Sequence, residues 1–247
     1  MAKGKGNGRA LGKLNWVLGI IFACSIMVVL FITSFDMTLY TNWAVYEKEY
    51  EKHEVLKELD MSMEDVMYVT EEMMEYLRGN RERLSVITSV EGTYQDFFNF
   101  QDRFHMKEVR ALFLGGLMIR KIALFTTVIS LLTLLLRRVD LKTILPRAYS
   151  YSLVALIIPM LMLGVGAAVD FDTFFVKFHE LFFDNDLWIF DPEHDFMIRM
   201  LPEGLFYDMT FKIGSLFLLF LIVLLIVSII AWKVGKNGEK KKKLKCD

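Results

Sequence analysis

Four histidines offer this chain its chemistry near neutral pH, where imidazole is the side chain that takes and returns protons: His53, His105, His179 and His194. Two stand out by setting. His105 has Glu108 three residues on, on the same face of any helix, and a long apolar run starts at Ala111. His179 sits among Phe174, Phe175, Phe178, Phe182 and Phe183. His53 lies between Glu49, Glu51, Lys52 and Glu54, where a solvated ring is the ordinary reading, and His194 follows Asp191-Pro192 among acids as a surface residue would. Any one of the four is as well explained by a structural role. The pair beside apolar sequence is harder to explain that way.

Other chemistries find little support. His53-Glu54 and His179-Glu180 begin like a zinc-protease motif, but the required second histidine is replaced by Lys57 and by Phe183. A site assembled in space from histidines and carboxylates is the minor alternative, so no metal is expected. No Gly-x-Ser-x-Gly turn and no phosphate-cradling glycine loop occur, and no cofactor is expected. Four spans without repeats or broken helices give a transport pathway little to build on.

The elements that must position the histidines follow from charge and hydropathy. Net charge is only −1, with hydrophobic residues at 54%. Yet segments 36–110 and 170–212 hold 27 of the 30 carboxylates and 12 of the 29 Lys and Arg, and all four histidines. The N-terminus through Lys13, the loop 137–147 and the tail from Lys233 are basic. About 20 apolar residues cross a bilayer, and four runs qualify: 16–35, 111–136, 148–169 and 213–232. Basic short flanks face the cytoplasm. The expected order is therefore a cytoplasmic N-terminus 1–15, a first span 16–35, an outer segment 36–110 and a second span 111–136. A cytoplasmic loop 137–147, a third span 148–169, a second outer segment 170–212, a fourth span 213–232 and a basic tail 233–247 follow.

This is a mainly all-α integral membrane protein, N-in and C-in, with two outer segments forming a small membrane-apposed domain that carries minor β structure. Arg120 and Lys121 fall inside the outer half of the second span, where cations either face a cavity or snorkel to the headgroups. The first span is read as an uncleaved helix, because its apolar run continues well past Cys24. Cys24 and Cys246 lie on segments too different to form a disulfide. Lys240–Lys243 suits anionic headgroups, and no nucleic acid is expected as partner. Pro159 and Gly164/Gly166 read as ordinary membrane-helix packing.

Within the outer segments, Ser62 and Asp65 approximate a capping box. Val66, Met67, Val69, Met73, Met74 and Leu77 recur at helical spacing until Gly79-Asn80 stops the helix. Stretch 83–90 is β-branched and Glu91-Gly92 is a turn, so a strand or small hairpin is expected. Asn99, with Asp102 at its third position, caps a helix that runs unbroken into the second span. A further helix starts near Asp172 or Thr173, rich enough in Phe to lie at the lipid interface, and ends at Asp184-Asn185-Asp186. Asp191-Pro192 reads as a cap with proline at the first helical position, and Leu201-Pro202 breaks that helix.

These residues also bear a resemblance. Phe104-His105-Met106-Lys107-Glu108-Val109-Arg110 before a long span resembles the lipoprotein intramolecular transacylase family, as do Phe178-His179-Glu180-Leu181-Phe182-Phe183, Asp184-Asn185-Asp186-Leu187-Trp188 and Asp191-Pro192. The order of spans and segments is similar over nearly the whole chain. Glu108 departs from the pattern, where aspartate would be expected. The resemblance implies an enzyme that moves one acyl chain of a bacterial lipoprotein's diacylglyceryl group onto the α-amine of the same N-terminal cysteine, without metal or cofactor. It implies His105 and His179 as catalytic residues, with Glu108 as an orienter of His105. It further implies Arg110, Arg120, Asp186 and Trp188 as substrate-binding or supporting residues.

The expected partners are diacylglyceryl-modified lipoproteins and membrane lipids, at the outer face of a bacterial plasma membrane. A monomer is compatible with the sequence, which sets no oligomeric state. The alternatives are a non-catalytic membrane protein that binds a partner or lipid through its outer segments, and an N-acyltransferase that uses phospholipid as donor.

Overall fold

The computed structural model describes residues 3–243, with side chains over 12–237. Lys240–Lys243 and Cys246, expected at headgroups and in the tail, lie outside the described side chains. The element order is α1 (Lys3–Tyr40), α2 (Ala44–Lys52), α3 (Val55–Glu58), α4 (Met63–Arg78), β1 (Ile87–Val90), β2 (Thr93–Asp96), α5 (Phe100–Leu136), α6 (Leu141–Val169), α7 (Phe171–Phe182), α8 (Phe196–Met200) and α9 (Glu203–Lys243). Four of these helices, α1, α5, α6 and α9, are long and apolar enough to cross a membrane. The chain divides into two compact units, one of residues 1–34, 119–163 and 214–247, the other of residues 35–118 and 164–213.

The first unit is built from the apolar lengths of the four long helices. Its buried centre is small: Ala23, Met27, Tyr149, Phe217 and Leu221. Gly19 lets α1 and α6 approach closely, since a Cβ there would lie 3.1 Å from Ala148 Cβ. That contact was not read from the sequence, which singled out Gly164 and Gly166 instead; a Cβ on either would meet nothing within 4 Å. Hydroxyls inside the helices bond their own backbone, as Thr127 does to Ala123 O at 2.8 Å and Thr133 to Ile129 O at 2.8 Å. A helix in lipid must satisfy its polar groups in this way.

The second unit holds the larger core, including Tyr50, Val66, Val69, Val86, Val90, Phe97, Phe98, Met106 and Met200. Helix α4 starts where the Ser62 hydroxyl accepts the Asp65 amide. It stops at Gly79, whose φ of 87° suits a residue without Cβ. The β-branched stretch forms a two-stranded antiparallel hairpin, with Val90 opposite Thr93. Glu91 and Gly92 both take positive φ, as a two-residue turn of this hand requires. The strand is shorter than its β-branched sequence, beginning at Ile87.

One sequence expectation, the helix at Pro192, is corrected, and two helix starts are sharpened. Helix α7 starts at Phe171, one residue before Asp172, because Asp170 caps it by accepting the Thr173 amide at 3.0 Å. No helix begins at Pro192. Asp191 accepts the amide of Glu193 and the ring of His194, its own amide is drawn to Asp195, and α8 begins only at Phe196. Finally, α9 begins at Glu203, ten residues before the expected fourth span, because Pro202 leads straight into it. A proline at the start of a helix sacrifices no hydrogen bond.

Candidate active site

Both singled-out histidines come from the second unit and meet inside it. His105 lies on the second turn of α5, which Asn99 and Asp102 cap reciprocally: the Asn99 amide reaches Asp102 Oδ2 at 2.8 Å and the Asp102 amide reaches Asn99 Oδ1 at 3.0 Å. The first eleven residues of α5 carry five charges and precede its apolar length. His179 lies near the end of α7, the one face of that helix that is turned inward. The two imidazole centroids are 5.9 Å apart, with planes inclined by 29°.

Aromatic rings enclose the pair. Phe183 packs edge-on to His105 at 4.8 Å, Phe190 does so at 5.5 Å, and Trp188 stacks on His179 at 4.8 Å. His105 and His179 are only 6% and 8% exposed. Burial disfavours a charged imidazole. It lowers the pKa of His105 to about 4, assisted by the neighbouring His179. The pKa of His179 is also lowered by burial, offset in part by its bond to the Phe175 carbonyl. Both rings are therefore neutral at pH 7, the state in which a histidine can act as a base. His179 Nδ1 lies 2.8 Å from Phe175 O. A carbonyl only accepts, so Nδ1 carries the proton and the Nε2 lone pair is left for chemistry.

A cleft of about 560 Å³ opens beside the pair, lined in part by Val176, Glu180, Phe183, Asp186, Trp188 and Ile189. The loop that supplies most of this lining is fixed to α5 by two side chains that bracket His105. Gln101 donates to the carbonyls of Leu187 and Ile189, at 3.1 and 2.9 Å. Asn185 donates to Glu108 Oε1 at 2.9 Å. Positions 101, 105 and 108 share one helix face, so the face that presents His105 also holds the loop that carries Trp188.

The sequence-derived residues separate accordingly. His105, His179 and Trp188 form the cluster, and Asp186 lines the cleft while exposed. Glu108 is present but makes no hydrogen bond to His105; its committed oxygen serves Asn185. Arg110 does not join the cluster either. Its guanidinium lies 4.7 Å above the Tyr76 ring. Arg120 belongs to the first unit, where it is half-buried and engaged, and Lys121 is exposed. Sequence reasoning missed Gln101, and it quoted Asn185 only within a motif without giving it a role. The i−4 spacing of Gln101 from His105 was the only available signal, and an amide there is too common to be one.

His53 departs from the solvated ring expected of it. It packs against Gly204, where any Cβ would collide with the ring. Its Nε2 lies 3.7 Å from Glu49 and 3.8 Å from Asp208. These three groups could converge on a cation, but Lys52 already pairs with Asp208 and Lys212 with Glu49. Two ammonium groups supply the positive charge that a metal ion would bring. His194, as expected, is exposed and pairs only with Asp191.

Comparison with known proteins gives the following. A family model described as lipoprotein intramolecular transacylase Lit matches residues 20–206. No curated protein sequence matches. Three solved structures of the membrane integral lipoprotein intramolecular transacylase Lit from Bacillus cereus are similar. One is 22% identical, covers 94% of this chain and 99% of its own, and has a TM-score of 0.71. A second, with a histidine replaced by arginine, is 21% identical over 98% of this chain and 100% of its own, at a TM-score of 0.70. The third, with a histidine replaced by alanine, is 21% identical over 96% and 99%, at 0.69. At these identities the likeness concerns the fold: a mainly helical, multi-pass integral membrane protein.

Proposed function

The chain belongs to the lipoprotein intramolecular transacylase family of membrane acyltransferases, and on that premise we propose that it converts diacylglyceryl lipoproteins to their N-acyl lyso-form by histidine acid/base catalysis. One acyl chain leaves its glyceryl oxygen and is attached to the α-amine of the same N-terminal cysteine. The observation that carries this reading is the buried, neutral pair His105 and His179, 5.9 Å apart and walled by aromatic rings.

The reacting amine has a reference pKa of about 7.7–8.0 and arrives mostly as the ammonium. A neutral histidine removes its proton, and the freed amine attacks the ester carbonyl. The nitrogen gives up its second proton as the tetrahedral intermediate collapses; the imidazolium passes one proton to the departing glyceryl oxygen, and the other leaves to solvent as the net proton released. Amine becomes amide, ester becomes hydroxyl, and no water enters. Because both partners belong to one molecule, much of the acceleration comes from holding them together. Exclusion of water by Phe183, Phe190 and Trp188 favours this outcome over hydrolysis. The cleft beside Trp188 would take the polar glyceryl and cysteine backbone, with Asp186 at its rim drawing the ammonium. Arg110 and Arg120 enter this reading as supporting residues only.

The charge pattern supports a topology with both termini cytoplasmic and the site on the outer face, where a lipoprotein presents its lipidated cysteine. The decisive experiment expresses the protein with a reporter lipoprotein in cells lacking other N-acylating enzymes. Mass spectrometry of the N-terminal peptide then reads the lipid. Two acyl chains with one on the amine is the expected result. A free amine with both chains on glycerol would refute acyl transfer, and three chains would point to a phospholipid donor.

A further inference from the structure

The mechanism leaves one buried acid beside His105 without a task. Asp102 is wholly buried. Its Oδ2 accepts the Asn99 amide and closes the helix cap, whereas its Oδ1 is buried without a hydrogen-bond partner. Leaving a carboxylate oxygen unmatched away from water is expensive. Capping alone does not require it, because a neutral acceptor serves the same amide, as glutamine does in many capping boxes.

One turn along the helix, His105 Nδ1 is likewise buried and without a partner. Side chains of a helix lean toward its N-terminus, so the ring of residue 105 leans over residue 102. Neighbours three apart bring their Cβ atoms to about 5–6 Å, the spacing at which side chains on a helix face interact. Of the two orphaned atoms, one is an acceptor and the other can be a donor. Glu108, the other acid on this face, also has one unpartnered oxygen, Oε2, but it lies on the C-terminal side, away from the lean of the ring, and its Oε1 is tied to Asn185. Asp102 is held from behind as well: Asn99, its capping partner, donates to the buried Asp195 at 2.5 Å.

Resting on the histidine reading above, we infer that Asp102 is a positioning residue whose free oxygen accepts a hydrogen bond from the Nδ1–H of His105, turning Nε2 toward the substrate amine and holding the resulting imidazolium beside an anion. This assigns the travelling proton to His105. His179 has only the Phe175 carbonyl behind it, a weaker support for a positive ring than a carboxylate is. Unaided, His105 is too weak a base for a substrate ammonium, because burial depresses its affinity for protons. One proton moves from the ammonium to Nε2 and from Nε2 to the departing glyceryl oxygen, the second nitrogen proton leaves to solvent as the amide forms, and Asp102 keeps its charge. The titratable and charged groups around the pair are Asp195 and Arg103 at Asp102, and His179 at His105, with Glu108 three residues on along the helix.

The test uses the full-length enzyme in detergent or nanodiscs, with a diacylglyceryl lipopeptide as substrate. Asp102→Asn keeps an acceptor for the Asn99 amide and removes the charge. The expected loss of rate is about 10–100-fold, the scale seen when the partner behind a functional histidine is removed. Asp102 protonates at about pH 6 because burial raises its pKa. The wild-type rate should therefore fall more steeply below that pH than amine protonation alone dictates, and D102N should lack this extra limb. An unchanged rate, or a slower enzyme with the same limb, overturns the inference. Nitrogen NMR of the histidine-labelled wild type decides independently of any variant: His105 protonated on Nδ1 supports it, and protonation on Nε2 overturns it. The two levels of the argument separate cleanly. A fully active His105→Ala removes the underlying reading, whereas an inactive His105→Ala beside a fully active D102N removes only this assignment.

Discussion

The two compact units differ in how much of their polar chemistry is local. In the first unit Ser34, Thr127 and Ser150 each donate to the carbonyl four residues earlier, and the buried Tyr149 hydroxyl reaches the Leu221 carbonyl. In the second, partners come from far along the chain, as in Tyr50 with Thr70 and Asn99 with Asp195. Among the described residues, every buried side-chain nitrogen or oxygen without a hydrogen-bond partner belongs to the second unit, and Asp102, His105, Glu108 and His53 are among them. Lipid offers no hydrogen bonds, so a span that left such atoms bare would be destabilised directly. The second unit tolerates them, and each such group calls for a specific explanation.

The largest effect should fall on the histidine pair. His105→Ala and His179→Ala are each expected to lower transacylation by about 10²–10⁴-fold with little change in thermal unfolding, as read by reporter lipidation and a melting curve. Full conversion by either variant would show that the second unit's bare groups are not catalytic.

Glu108 gives a finer contrast. As the anchor for Asn185 it needs only an acceptor, so Glu108→Gln should stay within a few-fold of wild type. Glu108→Ala and Asn185→Ala should each lose about tenfold through a loosened Trp188 loop, and the double variant should lose no more than either alone. If Glu108→Gln is as damaged as Glu108→Ala, its charge acts on His105 after all.

The same substitution in both units tests the comparison directly. Thr70→Val strips the buried Tyr50 hydroxyl of its partner at 2.6 Å and should cost about 1–3 kcal/mol in chemical denaturation. Thr127→Val removes a hydroxyl bonded only to its own helix and should change stability by less than about 0.5 kcal/mol.

A pH-dependent effect on stability is the smallest expected. The folded pKa of Asp102, about 6, lies above the ordinary aspartate value of 3.8, so the ionised form destabilises the native state. This penalty is fully present above pH 6 and disappears below about pH 4. Asp102→Asn should therefore raise Tm by a few degrees at pH 7.5 and leave it unchanged at pH 4. A lower Tm at pH 7.5 would mean that the carboxylate stabilises the fold.

Much of the fold was legible because its signals are local. Apolar run length set the four long helices, Ser62, Gly79 and Asn99 marked helix ends, and Glu91-Gly92 marked the hairpin turn. The boundaries that failed were those decided by distant partners: Asp191 is drawn into a turn by Asp195, and Asp195 is held by Asn99. His53 was misjudged for the same reason. Its sequence neighbours are charged, but the residues that pack on it, Gly204 and Asp208, are about 150 positions away.

Composition, hydropathy and motif by themselves determined a four-span helical protein, with the histidines confined to two acidic segments and the family to which those motifs belong. These properties depend on the order of residues along the chain. The tertiary structure alone decided that His105 and His179 stack, that Glu108 holds a loop instead of a histidine, and that Asp102 is buried with an oxygen to spare. A pKa, a tautomer and a vacant acceptor are set by what surrounds a group in space, and packing brings those surroundings from segments some 75 to 95 residues apart.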